Sequence, residues 1–336
     1  MRGNMREYND STAYYPNYAP GERGGLMDSF YKKTPDFAAL TRKLAAICTE
    51  CIPAELFCAG KSVLGRELWA ISFGQRNGAV VYAGGFHAQE WITVLLLTYF
   101  LEELSQAITK RENLCGISPH QALRKSGVII LPCANPDGLE LVANGISSAG
   151  MYKSMVHRIS GGDLTGWNAN VRGVDINHNF DAGFAICKGM EEENGIFAPA
   201  KRQYGGPSPE SEPETRALCN LCRMYRPSRL VAFHSQGEEI YYDYGPNTPP
   251  ESRSVAECWA GLCGYTVCSP TGMASHGGFK DWFIQEFCAQ GFTLEVGLGT
   301  NPLPASDLPD IYSKLKAMLI YGLFKCENLA DIGLFS

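Results

Sequence analysis

An α/β domain is predicted from three features of the chain. Short apolar runs, Ala79-Val80-Val81-Tyr82-Ala83, Val128-Ile129-Ile130-Leu131 and Leu230-Val231-Ala232-Phe233, read as buried strands. The apolar stretch from Trp91 to Leu104, soon after the first of them, reads as a largely buried helix closing on Glu102 and Glu103. With 336 residues and 45% hydrophobic content the chain can bury one large core, and no internal repeat divides it.

Met1 to Gly25 is polar and rich in Tyr, Gly and Pro, with no apolar h-region of a secretory signal, so a flexible extension is expected over 1–30 and the domain over 31–336. Asp36 to Cys51 has the spacing of an amphipathic helix packed on the domain's edge. The strand Ala79 to Ala83 ends in Gly84-Gly85, a tight exit that places His87 just past its C-terminal end. Glu90 falls in the first turn of the following helix, where a carboxylate suits the helix dipole. After Val128 to Leu131, Asn135-Pro136-Asp137-Gly138 reads as a strand end and tight turn that shapes a cleft wall. Ser211-Glu212-Pro213-Glu214 reads as a helix start: serine as N-cap, proline in the first turn, glutamate reaching back as a capping box. Leu230 to Phe233 delivers His234 at a strand end, and Phe292-Thr293-Leu294 delivers Glu295 at another. Ligands of open α/β sheets gather outside the carboxyl ends of strands, so these side chains can converge from distant positions.

His87 and Glu90 present an imidazole and a carboxylate three positions apart where a strand turns into a helix. Alone, such a pair also suits a helix cap or a surface contact. Zinc in hydrolytic centres is commonly held by two histidines and one glutamate, with a fourth position left for water. The pattern therefore asks for one more distant histidine, and His234 meets it; one zinc ion on His87, Glu90 and His234 is expected. Glu295 lies in the apolar segment Thr293-Leu294-Glu295-Val296-Gly297, where an unpaired carboxylate is costly to bury. Either a Lys or Arg answers it in a buried salt bridge, or it takes a proton from a water that zinc acidifies, which makes a nucleophile for an amide carbonyl. The second reading is the expected one.

These residues fall within an ordered series of motifs: Gly65-Arg66, His87-Ala88-Gln89-Glu90-Trp91, Asn135-Pro136-Asp137-Gly138, Gly173-Val174-Asp175-Ile176-Asn177-His178-Asn179-Phe180, Ser211-Glu212-Pro213-Glu214, Phe233-His234-Ser235-Gln236-Gly237 and Thr293-Leu294-Glu295. On them the chain, from about Leu56 to about Leu323, resembles the zinc carboxypeptidase family of the carboxypeptidase A type, and more closely its bacterial γ-D-glutamyl-diamino acid peptidase branch. The resemblance implies a single α/β domain with a mixed, twisted sheet of the eight-stranded type flanked by helices. It implies His87, Glu90 and His234 as metal ligands, Glu295 as general base, and Asn177 as the asparagine that holds a substrate carboxylate.

Departures from the family bear on substrate. Where the family follows that asparagine with an arginine clamping a C-terminal carboxylate, this chain has His178, which offers one or two donors and a charge only at lower pH. The tyrosine that closes over substrate corresponds to Met273, which packs but donates no hydrogen bond. The family's oxyanion arginine falls at Asn168; Asn168, Arg158 and Arg172 are the candidate replacements for a donor typically worth a few kcal/mol. Lys280 stands where the family floors its specificity pocket, and a cation there favours a substrate with an extra carboxylate, such as diaminopimelate or γ-linked D-glutamate. The other reading of Lys280 is a solvated lysine at a helix start. His276, beside Gly277-Gly278, is expected to border the cleft, and His120 and His157 to be polar surface residues.

A net charge of −6 argues against a nucleic-acid partner. No apolar stretch reads as long and uncharged enough to span a bilayer, so no membrane partner is expected, and the glycine-rich segments lack a nucleotide-binding pattern. Thirteen cysteines, an odd count scattered through apolar and helical segments, suit reduced thiols and a cytosolic home. Cys48/Cys51 and Cys219/Cys222 fall in predicted helices as small hydrophobes on one face; a structural zinc knuckle, the alternative, usually carries turn residues.

The expected function is a cytosolic zinc metallopeptidase that cleaves a peptide or isopeptide bond next to diaminopimelate in a muropeptide. Three alternatives stand beside it: a metallocarboxypeptidase acting on ordinary peptides, a related N-acyl amino acid deacylase, and a non-catalytic muropeptide binder. The deacylase would be expected to carry arginines where His178 and Lys280 stand, and the binder to have lost one of His87, Glu90, His234 and Glu295.

Overall fold

Within residues 28–324, which the computed structural model describes, one sheet holds eight strands: β1 (Ala54–Lys61), β2 (Glu67–Phe73), β3 (Val80–Ala83), β4 (Val128–Leu131), β5 (Arg229–His234), β6 (Glu239–Tyr241), β7 (Thr266–Cys268) and β8 (Gln290–Glu295). Their order is β1-β2-β4-β3-β5-β8-β6-β7. Strands β4, β3, β5 and β8 run parallel at the centre, while β2 pairs antiparallel with β4 and β6 antiparallel with β8. The sheet is thus mixed, as the resemblance implied. Strands β6 and β7, of three residues each, are too short to leave a periodic signal in the sequence.

Ten α-helices accompany the sheet among the described residues: α1 (Phe37–Glu50), α2 (Trp91–Lys110), α3 (Pro119–Lys125), α4 (Pro136–Asn144), α5 (Lys153–Ser160), α6 (Phe184–Glu193), α7 (Pro213–Tyr225), α8 (Ser252–Cys263), α9 (Phe279–Phe287) and α10 (Leu308–Tyr321). The two-residue alternation of the central strands decides which helices lie on which face. Val80 and Tyr82 of β3, Val128 and Ile130 of β4, and Val231 and Phe233 of β5 join α1, α2, α8 and α10 in one apolar core. Val81, Ile129, Leu230 and Ala232 point the other way, onto α7 and α9. Both faces of the parallel strands are covered, which is why these runs read as continuously apolar.

The helix predicted over Asp36 to Cys51 is α1, with Asp36 as N-cap accepting from the Ala39 amide at 2.6 Å. Helix α2 runs past Glu102 and Glu103 to Lys110, because both acids have partners on neighbouring elements: Tyr31 Oη donates to Glu102 at 2.7 Å and Tyr312 Oη to Glu103 at 2.9 Å. By length and composition alone α2 is apolar enough to cross a membrane, contrary to the expectation from sequence, yet most of it is buried inside the domain, as in a core helix. Most of the predicted extension, residues 1–27, lies outside the described residues. Its last residues belong to the packed domain: Ser29–Lys32 form a 3-10 turn whose Phe30 and Tyr31 are buried in the core.

Two motifs fold differently from their prediction. Asn135-Pro136-Asp137-Gly138 opens α4: Asn135 is the N-cap, accepting from the Gly138 amide at 2.9 Å, with Pro136 in the first turn. At α7 the cap is Glu212 rather than Ser211, and Glu214 does not reach back; it accepts from the Val63 amide at 3.0 Å. Ser211 is engaged elsewhere, with Asn179 Nδ2 donating to its Oγ at 2.9 Å.

Candidate metal centre

The parallel strands β3, β5 and β8 end at one edge of the sheet, and each end supplies part of the site. The chain leaves β3 toward β4 on one side and returns as β5 on the other, so the strand order reverses beside β3, where crevices form in such sheets. Gly85 makes the exit from β3 at φ +62°, and a Cβ there would meet Val94 Cγ2 at 2.8 Å and Cys133 Cα at 3.0 Å. Only glycine fits that turn. Phe86, next in line, stacks on the His234 ring with centroids 4.9 Å apart. His234 ends β5 and is register partner of Glu295, which ends β8. Glu90 is the N-cap residue of α2 rather than a first-turn residue.

One ligand atom from each of His87, Glu90 and His234 lies within 4.8 Å of the others. His87 Nδ1 is 2.8 Å from Glu90 Oε1, His234 Nδ1 is 3.1 Å from Glu90 Oε2, and the two Nδ1 atoms are 3.3 Å apart. His87 Nε2 meets Asp175 Oδ1 at 3.0 Å, so in its neutral form the ring carries its proton there and aims the Nδ1 lone pair at His234. Two imidazole nitrogens and a carboxylate face one another closely enough for a single cation to touch all three. The donor set is the His₂Glu set of catalytic zinc, and His87, Glu90 and His234 could hold one zinc ion.

Electrostatics agree with a cation site. Burial disfavours charge on His87, but the carboxylates of Glu90 and Asp175 outweigh it and hold the imidazole well above the ordinary histidine range. Burial alone would raise Glu90, yet His87 and His234 pull it down to about 2. Asp175 is likewise held below the ordinary range against burial, chiefly by His87 and His178. Burial lowers His234, only partly opposed by Glu90. Glu295 goes the other way: burial first, then the negative charge of Glu90, push its carboxyl well above the usual range. No Lys or Arg forms an ion pair with Glu295 among the described residues, and its register partner on β6 is another acid, Glu239.

A cleft of about 190 Å³ opens beside the cluster. His87, His234 and Glu295 line it, and so do Asn168, Asn177, His178, Met273, His276 and Lys280 from the sequence-predicted set. The Oδ1 of Asn177 accepts from the Phe279 amide at 3.1 Å, which leaves its amide nitrogen as donor toward a ligand. His178 is buried with Nδ1 3.2 Å from Cys187 Sγ, and burial lowers its pKa, so at neutral pH it is no permanent cation. Lys280 is not a solvated lysine: its side chain is 3% exposed, and its Nζ lies 2.5 Å from Asp281 Oδ1 and donates to the Asp243 carbonyl at 2.6 Å. His276 contacts Ser275 Oγ at 2.8 Å and packs edge-on against Tyr244.

Arg172 is not brought to the cleft. Its Nε donates to Tyr152 Oη at 3.2 Å and its Nη1 lies 3.6 Å from Glu212 Oε2, so its charge is spent on the motif that starts α7. Arg158 stands exposed in the last turn of α5. Four further residues line the cleft without a sequence signal of their own: Asp175, inside the Gly173 to Phe180 motif, and Arg202, Gln203 and Tyr241. Arg202 follows Lys201 and shortly precedes Gly205-Gly206, a polar loop without periodicity.

The family model for zinc carboxypeptidases matches residues 43–317, and the chain belongs to that family. Its members are metallopeptidases, which makes this chain a zinc hydrolase of peptides by class. It is 34% identical over 267 residues to gamma-D-glutamyl-L-diamino acid endopeptidase 1 of Lysinibacillus sphaericus, covering 79% of this chain and 66% of that protein. It is also 34% identical over 269 residues to the uncharacterized protein YqgT of Bacillus subtilis (strain 168), covering 79% and 70%. This chain therefore spans about two thirds of the length of those relatives. The fold is that of thrombin activatable fibrinolysis inhibitor: TM-score 0.68 at 18% identity, over 88% of this chain and 75% of that one.

Proposed function

We propose that this chain is a zinc-dependent metallopeptidase hydrolysing a peptide or isopeptide bond in a cell-wall-type peptide, of the γ-D-glutamyl-diaminopimelate kind. The observation that carries the reading is the convergence of His87, Glu90 and His234 on one point at the strand ends, with Glu295 in the same cleft. The relative named as a γ-D-glutamyl-diamino acid endopeptidase supports the substrate class. A cytosolic home belongs to the same proposal; Cys219 and Cys222, buried in α7 and packed as small apolar groups, are consistent with reduced thiols.

When bound by these three ligands, zinc would polarise the scissile carbonyl and acidify a water. Glu295 takes a proton from the attacking water and passes it to the amine nitrogen as the carbon–nitrogen bond breaks. Burial and the negative charge of Glu90 raise the proton affinity of Glu295, the direction a group needs to take up a proton from water. Asn177 donates its amide N–H to a substrate carboxylate, Met273 packs against the substrate, and Asn168 stands where the family's oxyanion donor does.

Metal analysis together with a muropeptide digest read by mass spectrometry tests the reading. One zinc per chain and new products cut beside diaminopimelate are expected. Glu295→Gln should keep the metal and lose about 10²–10⁴-fold in turnover, and His234→Ala should lose the metal. Release of ordinary C-terminal residues with muropeptides untouched would replace the proposal by the carboxypeptidase reading, and cleavage confined to N-acyl amino acids by the deacylase.

A further inference from the structure

The cleft departs from the family pattern by losing two arginines, at His178 and Asn168, and the cations that remain around it are unequal. Lys280 has Asp281 Oδ1 at 2.5 Å and gives a hydrogen bond to the Asp243 carbonyl, so its charge is already answered. His178 is buried with Nδ1 3.2 Å from Cys187 Sγ, and burial holds its imidazole below the ordinary histidine range. Arg202 lines the same cleft, is exposed, and makes no hydrogen bond or ion pair through its guanidinium among the described residues.

Its backbone, by contrast, is held on both sides. The Asn168 and Ala169 amides donate to the Lys201 carbonyl at 2.8 and 2.9 Å, and the Gln203 amide donates to Asp175 Oδ2 at 2.9 Å. Asp175 is the carboxylate that orients His87, and its own amide donates to the Tyr204 carbonyl at 2.7 Å. The root of Arg202 is thus fixed between the position of the missing oxyanion arginine and the support of a metal ligand, while its head has no partner among the described residues. A guanidinium in that state presents a rigid fork of donors matched to a carboxylate.

We propose that Arg202 is the specificity-determining residue that binds a free carboxylate of the peptide substrate. It takes over, from a different loop, the task left vacant at His178. This rests on the peptidase reading above and narrows it to substrates that carry a carboxylate near the scissile bond.

The probes are γ-D-glutamyl-meso-diaminopimelate with the diaminopimelate carboxylates free, and the same compound with them as carboxamides. On the zinc-loaded enzyme, Arg202→Ala should cost at least about tenfold in kcat/KM on the free acid, mostly through KM, and less than about twofold on the carboxamide. Arg202→Lys should fall between, since a point charge replaces part of the fork. Equal losses on both probes, or none, overturn the proposal; unchanged melting temperatures show that the variants fold. Calorimetric binding of both probes to Glu295→Gln, with and without Arg202→Ala, separates the two claims. If the wild type cleaves neither probe, the peptidase reading fails, and the Arg202 assignment survives only if the free acid binds at least about tenfold tighter than the carboxamide and loses that preference with Arg202→Ala. Binding without the preference, or no binding, overturns it.

Discussion

Through Nε2 His87 donates to Asp175 Oδ1 at 3.0 Å, and this bond turns the other ring nitrogen toward Glu90 and His234. Outer carboxylates of this kind set the tautomer of a ligating histidine and raise its basicity. Asp175→Ala should therefore weaken zinc binding about 10–100-fold although all three ligands remain. Competition against a chelator of known affinity measures it, and an unchanged zinc affinity would show that His87 needs no such support.

Zinc binding should also release a proton. Against the cost of burial, Glu90 and Asp175 keep His87 charged well above the ordinary histidine range in the metal-free protein. Zinc needs the Nδ1 lone pair, so that proton has to leave. Affinity should rise about tenfold per pH unit below the His87 pKa, and titration calorimetry in two buffers of different ionisation enthalpy should find about one proton released. Release near zero at neutral pH would mean that His87 is already neutral.

Lys280 and Asp281 form a pair with almost no exposure. Removing one partner leaves the other charge buried and unanswered, so Lys280→Ala should destabilise the domain by about 3–5 kcal/mol. Thermal unfolding should shift down by roughly 2–4 °C for each kcal/mol. An unchanged melting temperature, with a selective loss of activity on acidic substrates, would restore the pocket-floor role that the resemblance suggests.

Glu214 supplies a test of pH-dependent stability. Burial lifts its carboxyl from 4.5 to about 8 in the folded chain. The folded state keeps this proton while the unfolded chain loses it near 4.5, so the stabilising contribution is complete below that pH and is lost as the pH rises toward 8. Denaturant unfolding at pH 5 and pH 8 should show wild-type stability falling by a few kcal/mol more than that of Glu214→Gln, whose side chain still accepts from Val63 but does not titrate. Parallel pH curves for the two proteins would refute the assignment.

The catalytic end of the sheet was legible because each key residue follows an apolar run. His234 and Glu295 end strands whose burial forces an unbroken apolar pattern, and His87 follows the glycine pair that such a strand needs to turn. What stayed hidden depends on contacts between distant segments. Proline after asparagine suits a turn and a helix start equally, so Asn135-Pro136 alone does not distinguish them. Ser211 looks like a cap, but Asn179 occupies its hydroxyl and accepts from the Glu212 amide at 3.0 Å, which moves the helix start by one residue. Arg172 and Arg202 are both loop arginines; only the folded chain spends the first on Glu212 and leaves the second in the cleft.

Three of the quoted motifs turn out to hold one another rather than substrate. Arg66 Nη1 reaches Asp137 Oδ1 at 2.6 Å, the Val63 amide reaches Glu214, and Asn170 Nδ2 reaches Glu212 Oε2 at 2.8 Å. Their polar side chains serve the wall on which Asn168 stands.

Backbone pairing of His234 with Glu295 at the last rung of the ladder between β5 and β8 has a practical consequence. Two of the site's side chains are aligned by main-chain contacts that owe nothing to an ion, so the pocket is assembled during folding and the metal arrives as a guest. Stripped protein should keep its shape and recover on adding zinc back, which would let other divalent ions be exchanged into the same cradle without refolding the chain.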